Sequence, residues 1–131
     1  MNRQPTSIRL RKTSNVLELG YADGTCYTLP AELLRVYSPS ADVQGHGKGQ
    51  EVLQHGKRHV RMTGIEAVGH YAVQLTFDDG HNTGIYSWDY LYQLGTRQDE
   101  LWQDYLDRLA KAGRLRDDAQ VITIVDPAKT D

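Results

Sequence analysis

Short runs of alternating apolar and polar residues recur along the chain, and each predicts a strand with one buried face. Thr6–Lys12 (TSIRLRK) puts Ile8 and Leu10 on one side. Residues 15–29 (NVLELGYADGTCYTL) predict two strands joined at Asp23-Gly24, a strong hairpin signal. Residues 60–69 (VRMTGIEAVG) and 71–79 (YAVQLTFDD) predict two more, with Asp79-Gly80 as the next tip and 81–86 (HNTGIY) as the return. Elsewhere the spacing is helical. Pro30 can start a helix because its missing N–H is a donor the first turn leaves unpaired anyway. Leu33, Leu34 and Tyr37 then give 30–37 a short apolar face. Ser87 is placed to cap a second helix over 88–94, closed by Gly95. Thr96-Arg97-Gln98-Asp99 has the form of a capping box with Asp for Glu, and it opens the longest helix, ending near Gly113. Leu101, Trp102, Tyr105, Leu106 and Leu109 form one stripe on it, which predicts a face buried against a sheet.

Residues 16–34 also match residues 72–91 at a shift of 56 positions, with one residue of slippage at the end. Leu19 falls on Leu75, Tyr21 on Phe77, Asp23-Gly24 on Asp79-Gly80 and Leu29 on Ile85. Each copy reads as strand, turn, strand and short helix. Two similar halves around one core would produce this pattern; so would two unrelated hairpins that share Asp-Gly turns. The fold class expected is α+β: mostly antiparallel sheet built from two similar hairpin-plus-short-helix halves, with a longer amphipathic helix towards the C-terminus. The expected domain spans 6–113, followed by a tail over 114–131. In that tail, VITIV (121–125) has strand propensity and either pairs, contacts a partner or belongs to a loosely ordered end.

A chain of 131 residues suits one domain. Its formal charge of -2 argues against a nucleic-acid binder, which shows a strongly basic face. One cysteine, Cys26, allows no internal disulfide. The N-terminus lacks an apolar stretch of signal-peptide length, and no segment is long enough to cross a bilayer, so a cytoplasmic protein is expected.

Residues 38–59 read as a long loop, because Gly45, Gly47, Gly49 and Gly56 disfavour a regular element. Ser38 and Ser40 could be nucleophiles beside a histidine, but no G-x-S-x-G elbow is present, and turn or cap roles fit better. The run Gly45–Gly49 is not a P-loop. Lys48, Lys57, Arg58 and His59 could attract an anion, although a solvated loop explains them as well. His55 and His59 are spaced for one helix face, but Gly56 opposes a helix there; His46, His70 and His81 complete the set. No H-E-x-x-H or Cys-x-x-Cys exists. Asp78 and Asp79 are explained as a hairpin tip, Cys26 as a small packed residue, and Trp88 and Trp102 as core or groove anchors.

The stretches LPAELLRVYSPSADVQGHG and VRMTGIEAVGHYAVQLTFDDGHNTGIYSWDYLYQLG, and above all DDGHNTGIYSWDYL, resemble the small bacterial proteins similar to the N-terminal domain of gamma-butyrobetaine hydroxylase. The resemblance runs from residue 6 to about residue 110. In the hydroxylases this domain precedes a 2-oxoglutarate- and iron-dependent oxygenase domain. That domain's H-x-D…H motif is not in this sequence, so no such activity is carried over. Similar domains are attached to P-loop ATPases bearing iron–sulfur clusters, which implies a role near iron–sulfur assembly. Metal-binding relatives hold one zinc through C-x-C-x-x-C after the first helix and a histidine after the second Asp-Gly turn. Here those positions read Ser38, Ser40, Val43 and His81. A hydroxyl is neither soft nor ionised near neutral pH, and valine has no donor. The expectation is therefore no metal and no cofactor, with Ser38 and Ser40 capping turns and Val43 packed inward. The function expected is a non-catalytic binding or adaptor domain linked to iron–sulfur or iron-enzyme biology. Its partner would be a protein, met over His46, Lys48, His55, Lys57, Arg58 and His81, with the chain a monomer or homodimer and no nucleic acid or membrane involved. The alternative is a domain that binds iron or zinc through His81, His46 and carboxylates.

Overall fold

The computed structural model describes residues 3–45 and 51–117. Strands β1 (Ser7–Arg11), β2 (Val16–Gly20) and β3 (Cys26–Pro30) form one antiparallel meander, and β4 (Met62–Val68), β5 (Ala72–Phe77) and β6 (Ile85–Ser87) form another. A helix follows each meander at once: α1 (Ala31–Val36) the first and α3 (Trp88–Thr96) the second. A single turn, α2 (Ala41–Gln44), lies between the halves, and α4 (Gln98–Ala112) follows α3. The class is α+β, as the alternation predicts.

Alternation sets the core. Leu17 and Leu19 of β2 point inward and are buried, as are Val73, Leu75 and Phe77 of β5. They meet Leu33 and Leu34 of α1 and Trp88, Leu91 and Leu94 of α3 in one cluster. Each such side chain contributes about 1.5–3 kcal/mol when fully buried. Stability therefore depends on both halves sharing this core.

The halves agree in detail at their turns. Gly24 N–H donates to Tyr21 O at 3.0 Å, and Gly80 N–H to Phe77 O at 3.1 Å. Tyr21 N–H meets Thr25 O, and Phe77 N–H meets His81 O, both at 2.9 Å. Asp23 and Asp79 each accept the backbone N–H two residues on, from Thr25 and His81. Gly24 and Gly80 have φ of 88° and 89°, the left-handed backbone that closes a three-residue hairpin loop. After the turn the register slips. Leu29 is fully buried, whereas Ile85 is 45% exposed and Tyr86 takes the inward place. The counterpart of Leu29 is thus Tyr86, not Ile85, and the helix caps Pro30 and Ser87 also stand 57 positions apart.

Several expectations need correction. Pro30 is the cap of α1 rather than its first residue. Ser87 does cap α3, its Oγ accepting Tyr90 N–H at 3.2 Å. Gly95 does not end that helix, because α3 runs on to Thr96. A Cβ at Gly95 would overlap the Tyr27 ring, so glycine serves close packing there. The capping box does not form: Arg97 is the cap of α4, with no side-chain cap bond, and Thr96 Oγ1 donates back to Gln93 O at 3.2 Å. Gly113 ends α4 with φ 67°, as expected. Buried Tyr105 and Leu109 of α4 pack with Val36 of α1 and with Leu53, not on a sheet. Cys26 is exposed rather than packed. VITIV (121–125) lies outside the described residues.

Asn15 joins the halves. Its amide donates to Val60 O at 2.7 Å and accepts Met62 N–H at 3.0 Å, so its side chain does for the edge of β4 what a neighbouring strand would do. Its own φ is 59°, a conformation asparagine tolerates better than most residues.

Candidate functional site

The positions marked by the resemblance converge. Ser38 follows α1, Ser40 caps α2, and His81 follows the second Asp-Gly turn. Ser38 Oγ and His81 Nε2 are 2.8 Å apart, a hydrogen bond whose direction follows the imidazole tautomer. Ser38 Oγ also accepts Ser40 N–H at 3.2 Å. Ser40 Oγ accepts Asp42 N–H at 3.2 Å and lies 2.6 Å from Thr83 Oγ1, which in turn donates to Asp42 at 3.3 Å. Val43 is buried. The two serines thus cap turns and the valine packs inward, as the side-chain chemistry predicts. Gly84 seals the cluster, since a Cβ there would sit 2.5 Å from Ser38 Oγ.

Asp79 is the electrostatic centre beside this cluster. One oxygen takes Arg35 Nε at 2.8 Å and Lys57 Nζ at 2.7 Å, and the other takes the His81 N–H at 3.1 Å. Burial would raise its pKa, but the Lys57 bond, the His81 N–H and Arg35 outweigh burial and hold it at about 2. A hairpin tip accounts for the His81 contact but not for the two cations. Its twin Asp23 forms the same turn without them. His81 titrates below its ordinary value because burial and then Arg35 disfavour the imidazolium, so at neutral pH it is uncharged.

The donors do not suit a zinc ion. Ser38 and Ser40 already spend their oxygens on protein partners, Val43 offers none, and one imidazole remains. Among the described residues no three His, Cys, Asp or Glu side chains gather as ligands. The same geometry gives no hydrolytic dyad: Ser38 is fully buried, and its oxygen is beyond a substrate's reach.

Among the described residues expected to form a partner surface, exposure and partners differ. His81 is 7% exposed and faces inward. Lys57 is committed to Asp79, and Arg58 lies exposed against Asp117 at 3.1 Å. His55 is half-buried, and His46 and Lys48 lie outside the described residues. The concave feature of this region is a groove of about 330 Å³ between residues 51–54 and α4. Val36, Val43, Leu53 and Leu101 supply apolar floor, and Tyr37, Asp104 and Arg108 stand among the polar groups. Tyr37 donates to Leu101 O at 2.7 Å and accepts Arg108 Nη2 at 3.0 Å. No local pattern signals this groove, because its walls come from four helices and a loop far apart in the chain.

Among the described residues no helix is long and apolar enough to cross a membrane. No curated protein matches the chain. Two proteins solved in solution by NMR are similar to it. One is 52% identical over 94% of this chain and 97% of its own, with a TM-score of 0.79. The other is 45% identical over 93% and 91%, with a TM-score of 0.75. A crystal structure from Acidithiobacillus ferrooxidans, of a protein of unknown function in the DUF971 family, is 44% identical over 71% of this chain and 93% of that one, with a TM-score of 0.60. The family model described as gamma-butyrobetaine hydroxylase-like, N-terminal, matches residues 8–92, which span both meanders and most of α3. By that match the chain belongs to the gamma-butyrobetaine hydroxylase-like N-terminal family.

Proposed function

We propose that this domain is a non-catalytic adaptor that docks a protein partner in the groove between residues 51–54 and α4, in the iron–sulfur or iron-enzyme setting that the family resemblance implies. The observation that carries the reading is the contrast between two neighbouring features. The cluster around Ser38 and His81 is closed and internally satisfied, while among the described residues the groove beside it is open and has an apolar floor. A floor of that kind with a polar rim is how many protein contact sites are built. Val52, which lines the groove, is 53% exposed.

The test is affinity capture from native extract with the wild-type chain and with Val52→Asp, whose fold is checked by circular dichroism. A partner held by the first and lost by the second supports the reading. Equal capture by both, or none above background, refutes it. Metal analysis of the same dialysed protein, beside His81→Ala, separates the adaptor from the metal-binding alternative.

A further inference from the structure

Arg116 lies just beyond Gly113, past the end of α4, and folds back onto the start of α1. Its Nε donates to Glu32 Oε2 at 2.9 Å and its Nη2 to Glu32 Oε1 at 2.7 Å. Its guanidinium carbon stands 5.0 Å from the centre of the Trp102 ring. Glu32 is only 6% exposed. A carboxylate so far from water is stable only with a cation on it. Two parallel N–H bonds to one carboxylate, with the flat face of the fork over an aromatic ring, are interactions that arginine makes and lysine cannot reproduce.

The pocket is larger than its occupant. A cavity of about 290 Å³ lies beside Arg116, walled by Pro30, Leu33, Trp102, Gln98 and Asp99. Arg116 is the one cation among the described residues that line it, facing the two acids Glu32 and Asp99. The segment that delivers Arg116 is otherwise held by backbone bonds, among them Arg114 N–H to Leu109 O at 2.9 Å, and by the exposed Arg58–Asp117 pair. Gly56 N–H reaches Leu115 O and Arg58 N–H reaches Arg116 O, both at 3.1 Å, and the Leu115 side chain is 68% exposed. Gly113, left-handed at φ 67°, stands between the helix and this segment.

We propose that the Glu32–Trp102 pocket is a recognition site for an arginine-bearing segment of a partner protein, filled in cis by the chain's own Arg116. An incoming arginine replaces the guanidinium bond for bond. A neighbouring apolar side chain on the same segment then fills the space against Pro30 and Leu33, which Arg116 leaves empty. The acidic wall favours a basic segment over a neutral one. The pocket uses Gln98, Asp99 and Trp102 of α4 and none of the residues that line the groove, so it goes beyond the adaptor reading and is tested apart from it.

Two measurements on the full chain decide the matter. In the first, Arg116→Ala is titrated with N-acetyl-arginine amide and with its lysine counterpart, with Trp102 fluorescence as the signal and Trp102→Phe as the blank. Arginine should bind about tenfold or more tighter than lysine, and adding Glu32→Gln should abolish the signal. Equal affinity for the two amides, or binding that survives Glu32→Gln, overturns the proposal. In the second, the unaltered chain is saturated with acetyl-Arg-Leu amide and followed by amide hydrogen exchange. The Gly56 and Arg58 amides should lose protection as Arg116 is displaced; unchanged protection overturns the proposal. Protection that falls with protein concentration alone would assign the pocket to a second copy's Arg116 and overturn the partner reading. This arm needs no variant, so it decides the matter even where Arg116→Ala fails to fold.

Discussion

Replacing Ser38 with alanine removes one oxygen from the most enclosed part of the candidate site, and the structure fixes what that oxygen leaves behind. Ser38 Oγ serves His81 Nε2 at 2.8 Å and Ser40 N–H at 3.2 Å. Gly84 presses on the same atom, so the vacated volume is about that of a hydroxyl, too small for a water to enter and take over the bonds. Two polar groups are then stranded in residues only 6% and 7% exposed. Each stranded group costs about 1–3 kcal/mol, and the slight exposure of both places the sum near about 2–3 kcal/mol. For a domain with about 5–15 kcal/mol in all, that is a large fraction. It corresponds to a fall of about 10 °C in Tm. Urea unfolding followed by circular dichroism at pH 7.5, where His81 is neutral, measures it. The midpoint should drop with the slope unchanged. A loss under about 0.5 kcal/mol would refute the reasoning, since it would mean that neither bond contributes or that water reaches the site.

Asn15→Ala should cost about 2–4 kcal/mol, from two lost amide bonds and a left-handed backbone that alanine adopts poorly, whereas Asn15→Gly should recover about 1 kcal/mol of that; equal losses in chemical denaturation would show that φ at this position is not strained. Gly95→Ala would gain about 1 kcal/mol from helix propensity alone, but the clash with Tyr27 costs about 1–3 kcal/mol, so a net loss is expected. A raised Tm for this variant would place Tyr27 elsewhere. Stability should also fall in two stages on acidification. His81 titrates lower in the folded chain than in the unfolded one, so its share is intact above about pH 6.5 and erodes as pH falls below that value. Asp79, held at about 2, contributes above about pH 4 and is lost as pH falls from there towards 2; because its side chain is partly exposed, this amounts to no more than about 2 kcal/mol. His81→Gln should remove the upper stage and Asp79→Asn the lower, and a pH profile that neither variant alters would contradict both assignments.

The elements visible in the sequence are those governed by neighbours in the chain. Alternation around Leu17 and Leu19 marks β2, Asp-Gly marks both turns, and Ser87 marks a helix start, whereas the single turn α2 falls inside the stretch 38–59 that reads as a loop. The misreadings have the opposite origin. A glycine that ends a helix and a glycine that admits a ring look alike in a sequence, and only Tyr27, far off in the chain, tells them apart at Gly95. Helical spacing shows that Tyr105 and Leu109 are buried, but not that α1 and Leu53 do the burying. At the site, the side-chain chemistry of Ser38, Ser40 and Val43 indicated their local roles. The cations on Asp79, the approach of Gly84 and the groove depend on distant segments meeting, so no local pattern carries them.

The twin turns bear on what can change in this fold. Residues 25 and 81 share one backbone scheme: each gives its N–H to the aspartate and its carbonyl to the aromatic residue before the turn, and at position 25 the threonine hydroxyl adds a second bond to Asp23. The second hairpin closes without the side chain of residue 81, whose ring is turned to Ser38. Position 81 therefore works as a socket in which a ligand, a capping group or a plain spacer can be exchanged while the loop that presents it closes in the same way. A scaffold with such a socket can shed one chemistry and take up another without relearning how to fold.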